Sequence, residues 1–137
     1  MWSALTKFRT DSCPFFVVDD KTGKTLLYFV SKRKGGLGSW DIYVSQLNEK
    51  TGAFGQAELV GNINSPEFDG HFDAEHGIIW SGNKKGLGGG DLWSTHKTNN
   101  GKWTTPVNIA PPVNTNKNEG CLTLSNDGSR LLFSSDR

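Results

Sequence analysis

The chain has 137 residues, enough for one domain or for a stretch of a repeat array. Its 15 lysines and arginines nearly balance 14 aspartates and glutamates, which argues against a broadly basic nucleic-acid binder and against an acidic tail. No apolar run is long enough to span a membrane, Met1-Trp2-Ser3-Ala4-Leu5 lacks the apolar region of a secretory signal, and two cysteines are too few for a disulfide scaffold.

Seventeen glycines, with eight Phe, five Trp and two Tyr, predict short strands and tight turns. In chain order the first strand is Pro14–Val18, followed by the turn Lys21-Thr22-Gly23-Lys24 and a second strand, Thr25–Ser31. After a glycine-rich loop, Asp41–Gln46 forms a third strand, and Phe54–Val60 a fourth beyond Lys50-Thr51-Gly52. The same order returns as Gly70–Asp73, Ile78–Ser81, Asp91–His96 and Trp103–Ile109, and it begins again with Cys121–Leu124 and Arg130–Ser134. No segment sustains a period of 3.6, so almost no helix is expected.

The elements recur because the sequence does. Gly36-Leu37-Gly38-Ser39-Trp40-Asp41-Ile42-Tyr43 returns fifty residues later as Gly86-Leu87-Gly88-Gly89-Gly90-Asp91-Leu92-Trp93. Ile63-Asn64-Ser65 returns as Val113-Asn114-Thr115, and Asp69-Gly70 as Glu119-Gly120. Four-stranded units at this spacing fit a β-propeller, with about 2.5 to 3 blades in the chain. Repeats run over approximately 11–60 and 70–109, with a partial repeat at 121–137. Trp2-Ser3-Ala4-Leu5 matches Trp103-Thr104-Thr105-Pro106 and suggests an extra strand over 2–8, so that residues 1–137 form a single propeller segment.

Ser125 to Arg137, Ser-Asn-Asp-Gly-Ser-Arg-Leu-Leu-Phe-Ser-Ser-Asp-Arg, resembles the PD40 repeat, the WD40-like, TolB-type propeller repeat. The resemblance extends to Asp91-Leu92-Trp93, to Trp103-Thr104-Thr105-Pro106-Val107-Asn108-Ile109, to Pro112-Val113-Asn114-Thr115 and to Glu119-Gly120. The first repeat departs from the pattern, with Lys32-Arg33 for the Asp-Arg pair and Phe54-Gly55-Gln56-Ala57 for Trp-x-x-Pro. The resemblance implies a propeller that scaffolds protein or ligand binding, often in the bacterial periplasm or cell envelope.

Most of the prominent residues read as structural. Asp41 and Asp91 open strands after glycine-rich loops and are placed to accept loop N–H groups. Phe29, Tyr43, Trp80, Trp93 and Trp103 are expected to pack between sheets. Cys13 and Cys121 share a repeat position and read as buried free thiols rather than a disulfide pair.

Antiparallel alternation sends the loops that enter each inner strand, and the glycine-rich loops, to one face. That face gathers Asp11, Asp69, His71 and Glu119, with Lys32, Arg33, Lys34, Lys84 and Lys85 around them. It is the candidate binding face. Its ligand candidates are Asp11, Asp69, His71, Glu119, Lys32, Arg33 and Lys84, and a ring of carboxylates there could hold an axial cation. No metal-spaced His or Cys pair and no Gly-x-Ser-x-Gly elbow is present.

The expected function is therefore a non-catalytic binding or scaffold module. Ring closure by a homo-oligomer, a dimer for preference, is expected, with no cofactor, no nucleic acid and no membrane insertion. The alternative is a glycan-processing or peptidase-associated propeller, or a fragment of a longer enzyme or envelope protein, in which Glu67, Asp69 and Asp73 would supply carboxylates.

Overall fold

A computed structural model describes residues 10–137. The extra strand expected over 2–8 lies outside them. Among the described residues the protein is all-β, without helix, and its three antiparallel sheets hold two to five strands. Among the described residues no sheet closes on itself.

The first sheet runs β1 (Asp11–Val18), β2 (Thr25–Ser31) and β3 (Asp41–Asn48), and two short strands, β4 (Ala53–Phe54) and β5 (Glu58–Leu59), both pair with β3. The second runs β6 (Phe68–Asp73), β7 (Ile78–Gly82), β8 (Gly90–Ser94) and β9 (Val107–Asn108). The third is the pair β10 (Glu119–Leu124) and β11 (Leu131–Ser135).

The first three strands of each full unit fall where alternation and turn residues place them. The fourth does not. Instead of a continuous strand over Phe54–Val60 there are two fragments: the Gly55 N–H still bonds the Gln46 carbonyl in the β4 register, and the pairing then slips by one residue before Glu58 and Leu59 rejoin β3. Instead of Trp103–Ile109 only Val107–Asn108 is a strand, and Trp103 makes one isolated bridge to Lys97. Pro106 has no N–H to offer a ladder at this point. The strand expected over Asp91–His96 also stops early, at Ser94.

Parallel bridges Trp40↔Phe68 and Gly90↔Asn118, fifty residues apart, carry the chain from each sheet to the next in the same way. The central core lies between the first and second sheets. Tyr28, Ile42, Val60 and Ile63 meet Phe72, Ala74, Ile79, Trp93 and Trp103 there. Phe72 stands edge-on to Tyr28 (centroids 5.3 Å, 81°) and to Trp103 (5.0 Å, 81°), the arrangement aromatic quadrupoles favour. Leu27, Phe29 and Tyr43 form a smaller cluster under Phe54, Ala57 and Leu59.

Candidate functional site

The three acids at the starts of the inner strands occupy matching positions. Asp11 lies opposite Ser31, Asp69 opposite Ser81 and Glu119 opposite Ser135. None stands free. The carboxylate of buried Asp69 accepts the Ser65 N–H (2.6 Å) and the Ser65 hydroxyl (3.0 Å). Buried Glu119 accepts the Thr115 N–H (3.0 Å), the Thr115 hydroxyl (2.7 Å) and the Ser135 hydroxyl (2.9 Å). Each acid thus ties down the loop that enters its own strand.

The two carboxyls titrate in opposite directions. Burial raises the Asp69 value, and the bonds from Ser65 and Ser81 offset only part of that. Burial also opposes ionisation of Glu119, but the donors from Thr115 and Ser135 outweigh it and hold the carboxyl below its ordinary value.

Asp11 is held differently, because the first unit places an arginine beside it. Arg33 Nη2 bonds both Asp11 oxygens (3.1 and 3.2 Å), and Nε donates to Ser31 Oγ (3.0 Å). The guanidinium also lies over the rings of Phe29 (4.7 Å) and Tyr43 (4.8 Å). Three further cations rest on aromatic rings. Lys32 Nζ sits 4.8 Å from the Trp40 centroid, Lys84 Nζ 4.2 Å from Trp93, and the Arg137 guanidinium 5.4 Å from Phe133. Burial lowers the Lys84 value, against the pull of Asp69. Arg33 and Lys84 are therefore engaged by the fold itself, whereas Lys32 stays exposed above its ring.

His71 and Glu119 line an open hollow of about 540 Å³ between the inner strands. Asp11, Asp69, Lys32, Arg33 and Lys84 do not line it. Its walls include the Trp80 ring, Gly120 and both cysteines. Sequence reasoning did not single out this grouping, although Cys13 and Cys121 already shared a repeat position. The cysteines also differ from the expected buried thiols. Both are free, but Cys13 is half-buried and Cys121 exposed. Each sits at an interruption of the ladder with positive φ, 49° and 45°, and leaves the regular alternation there. Burial lowers the His71 value, opposed by Asp73, so its imidazole is favoured in the neutral form.

Among the described residues, no group of three His, Cys, Asp or Glu side chains is arranged to hold a metal ion. No described helix is long and apolar enough to cross a membrane.

A second cleft, of about 650 Å³, opens at the opposite ends of the strands between the first two sheets. It is crossed by an ion pair from Lys97 to Asp19 (2.6 Å) and by Lys21 Nζ donating to the Asn99 carbonyl (3.1 Å). His76 and His96 line it, and His76 Nδ1 lies 3.0 Å from buried Asp73. Comparison with known proteins finds no matching family model, no matching curated protein and no matching solved structure.

Proposed function

We propose that the chain is a non-catalytic binding scaffold, a propeller segment whose ring is completed by a second copy. The observation that carries this is the unequal covering of the sheets. The second sheet packs against both of its neighbours. The first has Phe15 and Val17 against the central core, so alternation turns Phe16 (52% exposed, one edge against Phe54) and Val18 (58% exposed) to its other face. In the third sheet Leu132 is 70% exposed, and among the described residues β11 pairs with β10 alone. Uncovered apolar side chains and an unpaired strand edge together favour association with another β-sheet. A second copy brings the same two unfinished ends, so that each end of one chain meets the other end of its partner.

The face that collects the acids and the glycine-rich loops is the proposed binding surface. The engagement of its charged groups in loop-tying bonds and ring contacts supports a binding role over a catalytic one, since a catalytic acid or base must reach its substrate.

Light scattering after size exclusion, over a dilution series, tests the scaffold. A mass near twice 15.0 kDa, shifted toward the monomer by Leu132→Ser, supports closure by two chains. A monomer at every concentration overturns it.

A further inference from the structure

The two glycine-rich loops are rigid fingers. In the first, the Leu37 and Gly38 amides donate to Asp41 (3.1 and 3.2 Å). In the second, the Leu87 and Gly88 amides donate to Asp91 (2.6 and 3.1 Å). Both aspartates are fully buried. Each finger is also wedged against the loop entering the next sheet: a Cβ on Gly38 would lie 2.0 Å from the Glu67 carbonyl oxygen, and one on Gly88 1.6 Å from that of Lys117. The backbone is fixed on both sides.

The tips carry what such a loop does not need. Leu37 is 61% exposed and Leu87 48% exposed, at the same position of both units. Neither lines the hollow or the cleft described above. Exposed Lys32 and Lys34 flank the first tip, exposed Lys85 adjoins the second, and Lys117, also exposed, lies beneath it. Half-buried Trp40 closes the first finger under the Lys32 ammonium.

We infer that these fingertips adsorb the protein to an anionic lipid surface, with the two leucines entering the headgroup boundary and the lysines facing anionic headgroups. Aliphatic tips with flanking lysines on fixed loops, joined in the first finger by Trp40 where the second has Gly90, combine side chains that partition into a bilayer interface. Two separate tips favour a bilayer over an acidic protein. A protein partner requires a continuous complementary surface of about 800 Å² per side, whereas a bilayer moulds itself to isolated tips. The rigid fingers reach the interface without further ordering cost. The inference rests on the preceding proposal only in taking this face as the binding face.

The test is co-sedimentation of the full chain with phosphatidylcholine vesicles, with and without phosphatidylserine. Binding only to the anionic vesicles, released by high salt, is expected. The double variant Leu37→Ser/Leu87→Ser should weaken binding by at least about tenfold, the scale of losing a buried leucine. Lys34→Glu/Lys85→Glu should weaken it by about fivefold or more per lysine. Val107→Ser, which removes an exposed valine on β9, should leave it unchanged. Urea melts confirm that each variant is folded. No binding, equal binding to neutral vesicles, full retention by the leucine variant, or complete competition by soluble polyglutamate would overturn the inference. Light scattering on the same samples reads the scaffold separately: lost vesicle binding with an intact dimer removes only the lipid inference.

Discussion

The side-chain amide of Asn114 is paired with both backbone groups of Leu92. Asn114 Oδ1 accepts the Leu92 N–H at 2.8 Å, and Nδ2 donates to the Leu92 carbonyl at 2.7 Å. Fifty residues earlier Asn64 does the same for Ile42, at 2.6 and 2.9 Å. In each unit the fourth-strand region still donates one backbone N–H to the same carbonyl, Ile109 to Leu92 and Val60 to Ile42 (3.0 Å each), and the asparagine supplies the acceptor that the strand's N–H lacks. Asn114 is fully buried, so Asn114→Ala leaves the Leu92 N–H unpaired, while the Leu92 carbonyl keeps the Ile109 N–H. A loss of about 1–3 kcal/mol in urea unfolding is expected. Asn114→Asp should also destabilise, because a carboxylate cannot donate to the Leu92 carbonyl.

The ease of reading differs between elements for physical reasons. The first three strands of each unit announce themselves through alternation and turn residues, which are local. The fourth is held by Asn64, Asn114 and the burial of Trp103, contacts with distant partners that no local period records. The acids of the candidate face were visible as a repeated position. Their engagement was not read there: Ser65 and Thr115 stand four residues before Asp69 and Glu119, and the fold turns that spacing into hydrogen bonds. The convergence of Cys13, His71 and Cys121 on one hollow depends on how the sheets stand together, and the sequence contains no local sign of it.

Arg33 shows that the basic residues of the candidate face are not interchangeable. Its planar group bonds both oxygens of Asp11, bonds Ser31 and covers two rings at once. A lysine ammonium is a compact charge and cannot hold this arrangement. Arg33→Lys is expected to cost about 1–2 kcal/mol in urea unfolding. A change smaller than the scatter of the measurement would show that the arginine is not integral to the first sheet.

The glycine-rich loops make a sharper prediction. Gly88 lies where a methyl group would overlap the Lys117 backbone, and backbone cannot yield as a flexible side-chain end can. Gly88→Ala must therefore push the second finger off the third sheet. About 1–3 kcal/mol of destabilisation is expected. Gly61→Ala serves as the control, since nothing lies within 4 Å of the added carbon, and it should change stability little. Hydrogen exchange localises the effect: the amides of Leu87 and Gly88, bonded to Asp91, should lose protection in Gly88→Ala and keep it in the control.

Asp69 and Glu119 give matching positions opposite signatures in acid. The folded Glu119 value lies below its ordinary 4.5, so its contribution to stability is complete above that pH and is lost as the pH falls below it. The folded Asp69 value lies above its ordinary 3.8. Its protonated form is therefore favoured by folding, and its contribution is greatest in acid and declines as the pH rises through the folded value. Two isosteric variants separate the terms. Glu119→Gln should destabilise by about 1–3 kcal/mol at neutral pH, the worth of bonds to a charged group. That difference should shrink as the pH drops below 4.5, where the unfolded chain takes up its proton first, until the folded carboxyl is neutral as well. Asp69→Asn should become more favourable relative to the native chain as the pH rises, since it removes a carboxylate that burial resists. Urea melts across the acid range measure both slopes. Parallel curves for the native chain and either variant would show that the carboxyl in question titrates alike in the folded and unfolded chain.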